Sequence, residues 1–479
     1  MAQHLYLLVA QRIEELIRNG TYRVGEKLPS IRSIHREQGI SISTVLEAYR
    51  FLEDKGVIVA QEKSGYYVRR WKDTSQQVPS QVIPVLAPNA VEIDSLLDSI
   101  MEERFMNEVV SFSRAIPGDH LIPDKILKCN LREVLQNNSL EVMNYTRLQG
   151  NEALRQEIAK RSLLGGGHLA ANELCITSGC LEAIHLALRA LTRQGDIVAV
   201  ESPCYYGFLE AIQGLHLRTV EIPSHAATGI ELDYLEKAFT RFDVKACLVT
   251  PNFSNPMGSL MPDSHKKELV ALATRCQVPL IEDDIYGELY FSGKRPVSLK
   301  EYDKGNQVIV CSSFSKTLAP GFRIGWVAGG QWRRAIERLK FMTNITTTSM
   351  GQSVIARMMA AGSYDRHLRR MRSSLMRQVT EVQGAVDRYF PEGARVSQPK
   401  GGYVLWIELP GKISAMELYK RALQQGIGFT PGHLFSTGMV HEHFLRLSCG
   451  NPWNEKTEAA IRKLGDLAKA MVAVNHNTT

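Results

Sequence analysis

The sequence predicts an α/β protein in two parts, a small winged helix-turn-helix unit and a large domain with a mostly parallel central sheet. Three observations predict it. Over residues 1–70, apolar positions recur at helical spacing in short segments punctuated by glycine and serine, then give way to two short runs around a polar tip. From about residue 71 the periodicity disappears, which predicts a linker over 71–108. From about residue 109 to 479 it returns changed, as short apolar runs alternating with helical stretches.

The first segment reads element by element. Leu5, Leu8, Val9, Arg12, Ile13, Leu16 and Ile17 form a stripe that Asn19-Gly20 stops. Gly25 to Ser30 is a turn ending in a helix cap, and the helix it opens carries Ile31, Ile34 and His35 before Gly39. Ser41 or Ser43 caps another helix with Val45, Ala48, Tyr49 and Leu52 turned inward. Two short helices around a glycine turn make a helix-turn-helix. Val57 to Ala60 and Tyr66 to Arg69 flank the tip Gln61 to Gly65, as two strands of a wing. A three-helix cap on an enzyme gives much the same periodicity. In the linker, Pro79, Pro84 and Pro88 and a polar run at Asp73 to Gln77 predict a semi-extended spacer rather than a packed element.

In the large domain, Ile197–Val200, Ala246–Thr250, Pro279–Glu282 and Val308–Cys311 read as buried strands. Ligand groups in such sheets gather at the strands' carboxyl ends. The stretch Ser313-Phe314-Ser315-Lys316-Thr317-Leu318-Ala319-Pro320-Gly321-Phe322-Arg323 follows one of them. Its lysine amine suits a Schiff base with the aldehyde of pyridoxal 5'-phosphate, and Ser313, Ser315 and Arg323 suit the phosphate. Taken alone it is also an ordinary exposed loop and turn. Thr177-Ser178-Gly179-Cys180 ends a strand and opens a helix, whose free amides favour a phosphate, although Ser-Gly starts many helices. Asn255, before Pro256, offers an amide to a ring oxygen or simply starts a turn. In Asp283-Asp284, a carboxylate at the strand end can keep a pyridine nitrogen protonated; acidic pairs are also commonly just solvated.

Composition narrows the setting. Across 479 residues the hydrophobic share of 44% is ample for a core, and a formal charge of +7 permits an acidic partner without establishing one. The eight cysteines form no Cys-x-x-Cys pair, so neither a zinc site nor a disulfide framework is expected. No apolar stretch is long enough for a membrane span, and the amino terminus lacks a signal-peptide layout. A cytoplasmic location with reduced thiols is expected.

Leu28-Pro29-Ser30-Ile31-Arg32, Ser41-Ile42-Ser43-Thr44-Val45, Ala48 to Leu52 and Ser64 to Val68 resemble, in order and spacing, the GntR-type winged helix. The resemblance implies double-stranded DNA as partner, with the helix beginning near Ser43 in the major groove. Arg32, Ser41, Ser43, Thr44 and Lys63 are its implied contacts. Ile42 and Leu46 stand where relatives often carry arginine. The large domain resembles the class I/II aminotransferases of pyridoxal-phosphate fold type I. That resemblance implies Lys316 as the Schiff-base lysine, Asp283 on the ring nitrogen, and Asn255 and Tyr286 on the ring hydroxyl. It further implies Ser178, Gly179, Cys180, Ser313 and Arg323 around the phosphate, Tyr205 stacked on the ring, Tyr145 reaching a neighbouring subunit's phosphate, and Arg446 forking a substrate carboxylate. Cys180 and Met257 depart from the family's usual residues, and no tryptophan follows Gly118–Pro123.

The combined layout resembles the MocR subfamily of regulators. It implies a homodimer that binds DNA and senses an amino-acid or amine effector in an aminotransferase-like PLP-binding domain. A working aminotransferase with a DNA-binding appendage, or a scaffold that merely dimerises the DNA-binding arms, are the competing readings.

Overall fold

The computed structural model describes residues 5–23, 25–54, 57–61, 65–68, 78–91, 100, 103, 109–165, 167–291, 293–411, 413–438 and 440–476. The first three helices are α1 (Leu5–Arg18), α2 (Ile31–Gln38) and α3 (Ile42–Asp54). Ser30 caps α2 by accepting the Ser33 amide at 3.1 Å, and Gly39 ends it at φ 65°. Ser41 Oγ accepts the Thr44 amide at 3.1 Å at the start of α3. Val45, Ala48, Tyr49 and Leu52 are fully buried against Val9, Ile13 and Ile17, while Leu5 and Leu8 at the edge of the first stripe stay exposed. The Tyr49 hydroxyl donates to the Pro29 carbonyl at 2.5 Å and ties α3 to the turn before α2. Strands β1 (Ile58–Gln61) and β2 (Gly65–Val68) pair antiparallel as the expected wing.

The large domain is built on β3 (Leu174–Thr177), followed by helix α4 (Cys180–Leu191), then β4 (Ile197–Ser202), β5 (Arg218–His225), β6 (Val244–Val249), β7 (Leu280–Asp283), β8 (Val308–Ser313) and β9 (Gly325–Ala328). Their order is β5-β4-β6-β7-β8-β9-β3. From β5 to β8 all neighbours are parallel, and β9 runs antiparallel to both β8 and β3. Parallel neighbours need crossovers, and the helices that make them cover both faces. Two apolar cores, one on each face, follow: Ala199, Cys247 and Leu280 belong to one, Val198, Ala246 and Ile281 to the other. A smaller antiparallel sheet holds β10 (Val404–Glu408) beside β11 (Phe444–Ser448).

One expectation needs correcting. Residues 78–91, expected to be an unpacked spacer, lie against the large domain. Pro79 and Pro84 are buried, and Val82 packs on the aromatic cluster of Tyr206, Trp406, Phe435 and Phe444. The Ser80 amide and hydroxyl both donate to Glu408 at 2.7 Å. Asn89–Ala90 then adds an antiparallel edge to β5. Prolines lack the amide a central strand must donate but bury well on an edge, and here they anchor a strap.

Candidate functional site

The polar residues singled out in the sequence collect at the carboxyl ends of β3, β4, β6, β7 and β8. Successive side chains alternate along extended chain, so Asp283, which closes β7, and Asp284, which follows it, part company. Asp284 is taken by an ion pair with Arg295 and by the Asn252 amide at 3.0 Å. Asp283 turns the other way, where Oδ1 accepts the Cys180 thiol at 3.2 Å and the Ile285 amide at 3.1 Å. Burial raises its carboxyl to about 7, against the pull of the Cys180 and Ile285 donors and of Lys316.

Lys316 follows β8, and its Nζ donates to the Ala115 carbonyl at 2.6 Å. That carbonyl also accepts the Tyr403 hydroxyl at 3.0 Å. Burial, and then the positive charge of Arg446, lower the lysine amine to about 8, with Asp283 opposing. Such an amine is neutral often enough near physiological pH to act as a nucleophile.

The start of α4 forms an anion cradle. Gly179 sits at φ +95°, and a Cβ there would meet Arg323 Nη2 at 2.6 Å, so glycine alone lets the guanidinium lie over the helix amides. Arg323 reaches this place from a left-handed turn at φ 53° and donates to the Ser178 carbonyl at 3.1 Å and Ser315 Oγ at 3.4 Å. Ser313 and Ser315 are buried beside it, with the Ser315 amide donating to Ser313 Oγ at 3.3 Å.

Tyr205, after β4, stands half-buried with its ring 4.6 Å from Tyr206 and 5.5 Å from Phe208. Arg446 on β11 is fully buried, donating to Asn255 Oδ1 at 3.1 Å and Thr430 Oγ1 at 2.8 Å, with its guanidinium 5.4 Å from the Phe435 ring centre. Its Nε is buried without a partner among the described residues. The Asn255 amide also lies beside the Tyr286 hydroxyl and favours its ionised form. A buried cation is costly without a counter-charge, and among the described residues the hydrogen-bond partners of Arg446 are neutral, so this arginine is poised for an anion.

Tyr145 is placed apart, 79% exposed on the surface. Arg32, Ser41 and Ser43 are exposed on the small unit, and Thr44 is half-buried. Ser41 Oγ is already engaged with Ser43 Oγ at 2.9 Å and Thr44 Oγ1 at 2.7 Å. Lys63 lies outside the described residues. Sequence reasoning missed Ala115, which acts through its backbone carbonyl, Thr430, whose place beside Arg446 depends on strand pairing, and Phe435, brought there by the short turn Gly432–Phe435 that follows. The pairing of Cys180 with Asp283 also carries no local signal, since 103 positions separate them.

The groups fit pyridoxal phosphate. A neutralisable buried amine, a carboxylate whose Oδ2 is left over among the described residues, an amide-and-guanidinium cradle kept clear by a glycine, and an aromatic wall are what an aldehyde phosphate of a pyridine needs.

Comparison with known proteins agrees. Residues 115–464 match the model of aminotransferase class I and II, and residues 5–68 match that of the bacterial regulatory proteins of the gntR family. The uncharacterized HTH-type transcriptional regulators YjiR and YdcR of Escherichia coli K12 are both 38% identical, over 97% and 96% of this chain and 98% of theirs. At that identity and coverage the chain is a relative of both. Among solved structures, LysN of Thermus thermophilus, an α-aminoadipate aminotransferase complexed with N-(5'-phosphopyridoxyl)-L-leucine, superposes with a TM-score of 0.73 at 27% identity, over 80% of this chain and 96% of that one. The fold and these relatives imply pyridoxal phosphate as the cofactor of the large domain. With the first model spanning most of its length and regulators related to it from end to end, the chain belongs to the class I and II aminotransferase family, in a form that carries a GntR-family domain ahead of the aminotransferase fold.

Proposed function

We propose that the protein is a pyridoxal-phosphate-dependent transcriptional regulator, binding double-stranded DNA through its amino-terminal unit and sensing an amino acid or related amine in the large domain. One observation carries this reading: the DNA-binding unit shares its chain with a site whose lysine, carboxylate and buried arginine are all in place. A scaffold that only joined DNA-binding arms would need none of them. The names of the full-length relatives support it as well.

When bound, pyridoxal phosphate supplies an aldehyde and an electron sink. Lys316 would hold it through its amine and Asp283 would face the ring nitrogen. Asn255 and Tyr286 would hold the ring hydroxyl, with Tyr205 beside the ring. Ser178, Gly179, Cys180, Ser313, Ser315 and Arg323 would hold the phosphate. Arg446 forks the ligand's carboxylate. On the DNA side, Arg32, Ser41, Ser43, Thr44 and Lys63 contact the duplex, with α3 in the major groove. The working form is a cytoplasmic homodimer. Leu140, Met143, Tyr145, Phe341 and Met342 are each more than half exposed, apolar side chains of the kind a second copy would cover. Tyr145 from that copy completes the phosphate site.

The second reading, a competent aminotransferase with a DNA-binding appendage, draws on the amine of Lys316 at about 8, which suits a proton carrier. One preparation tests both. DNA affinity at fixed salt should change at least about fivefold, a coupling of roughly 1 kcal/mol, when carboxylated amines are added to the cofactor-loaded protein. Arg446→Ala should lose that response and keep basal DNA binding. Keto-acid production at about 1 per second or faster, with no ligand effect on DNA binding, would establish the second reading instead.

A further inference from the structure

One residue touches both ends of the cofactor cradle. Cys180 is the first residue of α4, so its backbone amide belongs to the helix start beneath Arg323. Its side chain is buried, 5% exposed, and Sγ lies 3.2 Å from Asp283 Oδ1. The Ile285 amide donates to that same oxygen at 3.1 Å. These are the hydrogen bonds Asp283 makes among the described residues, so both donors load Oδ1 and Oδ2 is left over. A thiol is a weak donor, but an ionised carboxylate is the acceptor that most rewards it.

We propose that Cys180 is a positioning residue for the ring-nitrogen contact. Its thiol fixes the rotation of the Asp283 carboxylate so that Oδ2 meets the ring, and it helps to keep that carboxylate ionised inside the domain. The inference rests on pyridoxal phosphate occupying the site as proposed above. Two neighbours set how much depends on the thiol. Lys316 favours the charged carboxylate and Asp284 opposes it. Burial already lifts the Asp283 carboxyl to about 7 with both donors present, so losing one leaves more of it protonated at neutral pH. A protonated carboxyl cannot keep the ring nitrogen protonated, and the electron sink weakens. Amide and thiol belong to one residue on one rigid helix start, so any shift of α4 that moves the phosphate also turns the carboxylate. In this chain the role needs a donor at position 180, which a hydroxyl supplies and a plain hydrocarbon does not. Filling space is a different requirement, which a hydrocarbon of the right shape would meet equally well.

The test uses the full chain loaded with pyridoxal phosphate carrying 15N in the ring. Cys180→Thr and Cys180→Val give side chains of one shape that differ in having a donor, and Cys180→Ala removes both shape and donor. At one neutral pH, the ring-nitrogen shift should show the Thr variant as fully protonated as the wild type. The Val and Ala variants should lose at least about threefold in the protonated-to-unprotonated ratio, a modest share of what a hydrogen bond to a charged group contributes. The phosphate 31P signal should stay in place in all variants that bind. Equal ring-nitrogen shifts in all four proteins, or equal losses in Thr and Val, overturn the proposal. If neither Val nor Ala folds, the S–H stretch decides in an infrared difference spectrum of wild type against Asp283→Asn. It should rise in frequency when the carboxylate is gone, and an unmoved band overturns the assignment. A wild-type protein that takes up no cofactor on Lys316 is a separate result, and it sinks the cofactor reading itself.

Discussion

Lys316 carries the clearest pH consequence of any single residue. Only a neutral amine attacks an aldehyde, and burial together with Arg446 lowers this one to about 8. The sign is direct: below that value most of the lysine is protonated and inert. Uptake of pyridoxal phosphate by cofactor-free protein should therefore speed up about tenfold per pH unit from pH 6 to 8 and then level off, whereas an ordinary lysine would keep gaining to about 10.4. Stopped-flow absorbance measures this, and Lys316→Ala should show no lysine-bound cofactor at any pH. Gly179 makes a second prediction. A side chain at φ +95° is strained and would collide with Arg323, so Gly179→Ala should weaken cofactor binding at least about tenfold, consistent with strain of about 1–3 kcal/mol. Equilibrium dialysis reads the loss, and Gly195→Ala is the control, also at positive φ but with open space around it.

At the scale of elements, signals confined to a few neighbouring residues are legible in the sequence. The helix starts at Ser30 and near Ser41 or Ser43 are readable because a cap acts over three residues, and the structure selects Ser41 for the second. The strands β4, β6, β7 and β8 are readable because a strand buried on both faces must be apolar throughout. Asp283 and Asp284 form only a pair in sequence; strand alternation and the place of Arg295 separate them. The strap at 78–91 is hidden. Its prolines and polar residues read as a spacer, while its anchors, Glu408 above all, lie 328 positions further on. Its hold is local and so can be released locally. Val82→Asp puts a charge against the aromatic cluster, and limited proteolysis within 78–91 should accelerate at least about fivefold, an opening easier by roughly 1 kcal/mol, with cofactor uptake unchanged. Equal cleavage rates would mean that the strap is held elsewhere.

At the scale of the molecule, the proposed dimer makes each cofactor site a joint product of two chains. Tyr145→Phe should loosen the cofactor in its own homodimer. Mixed with Lys316→Ala chains, it should form heterodimers with one site of native affinity, because the intact tyrosine and the intact lysine then meet across the interface. A mixture that binds no better than the sum of the two parents contradicts the shared site. The strap has a further consequence for how the arms search DNA. Were the whole stretch from Val68 to Val109 free, about forty residue steps at roughly 3.3–3.6 Å each would let an arm range over some 140 Å. With residues 78–91 docked, ten residue steps separate Val68 from Val78 and can span at most about 35 Å, close to one helical turn of duplex. A short leash raises the local concentration of the second arm once the first has landed, and restricts which operator geometries both can reach together. Ten flexible residues inserted between Val68 and Val78 should weaken binding to a two-half-site operator, flatten its preference for half-site spacing, and leave affinity for a lone half-site as it was. Anisotropy titrations over a ladder of spacings measure this, and an unaltered spacing preference would show that something other than tether length sets it.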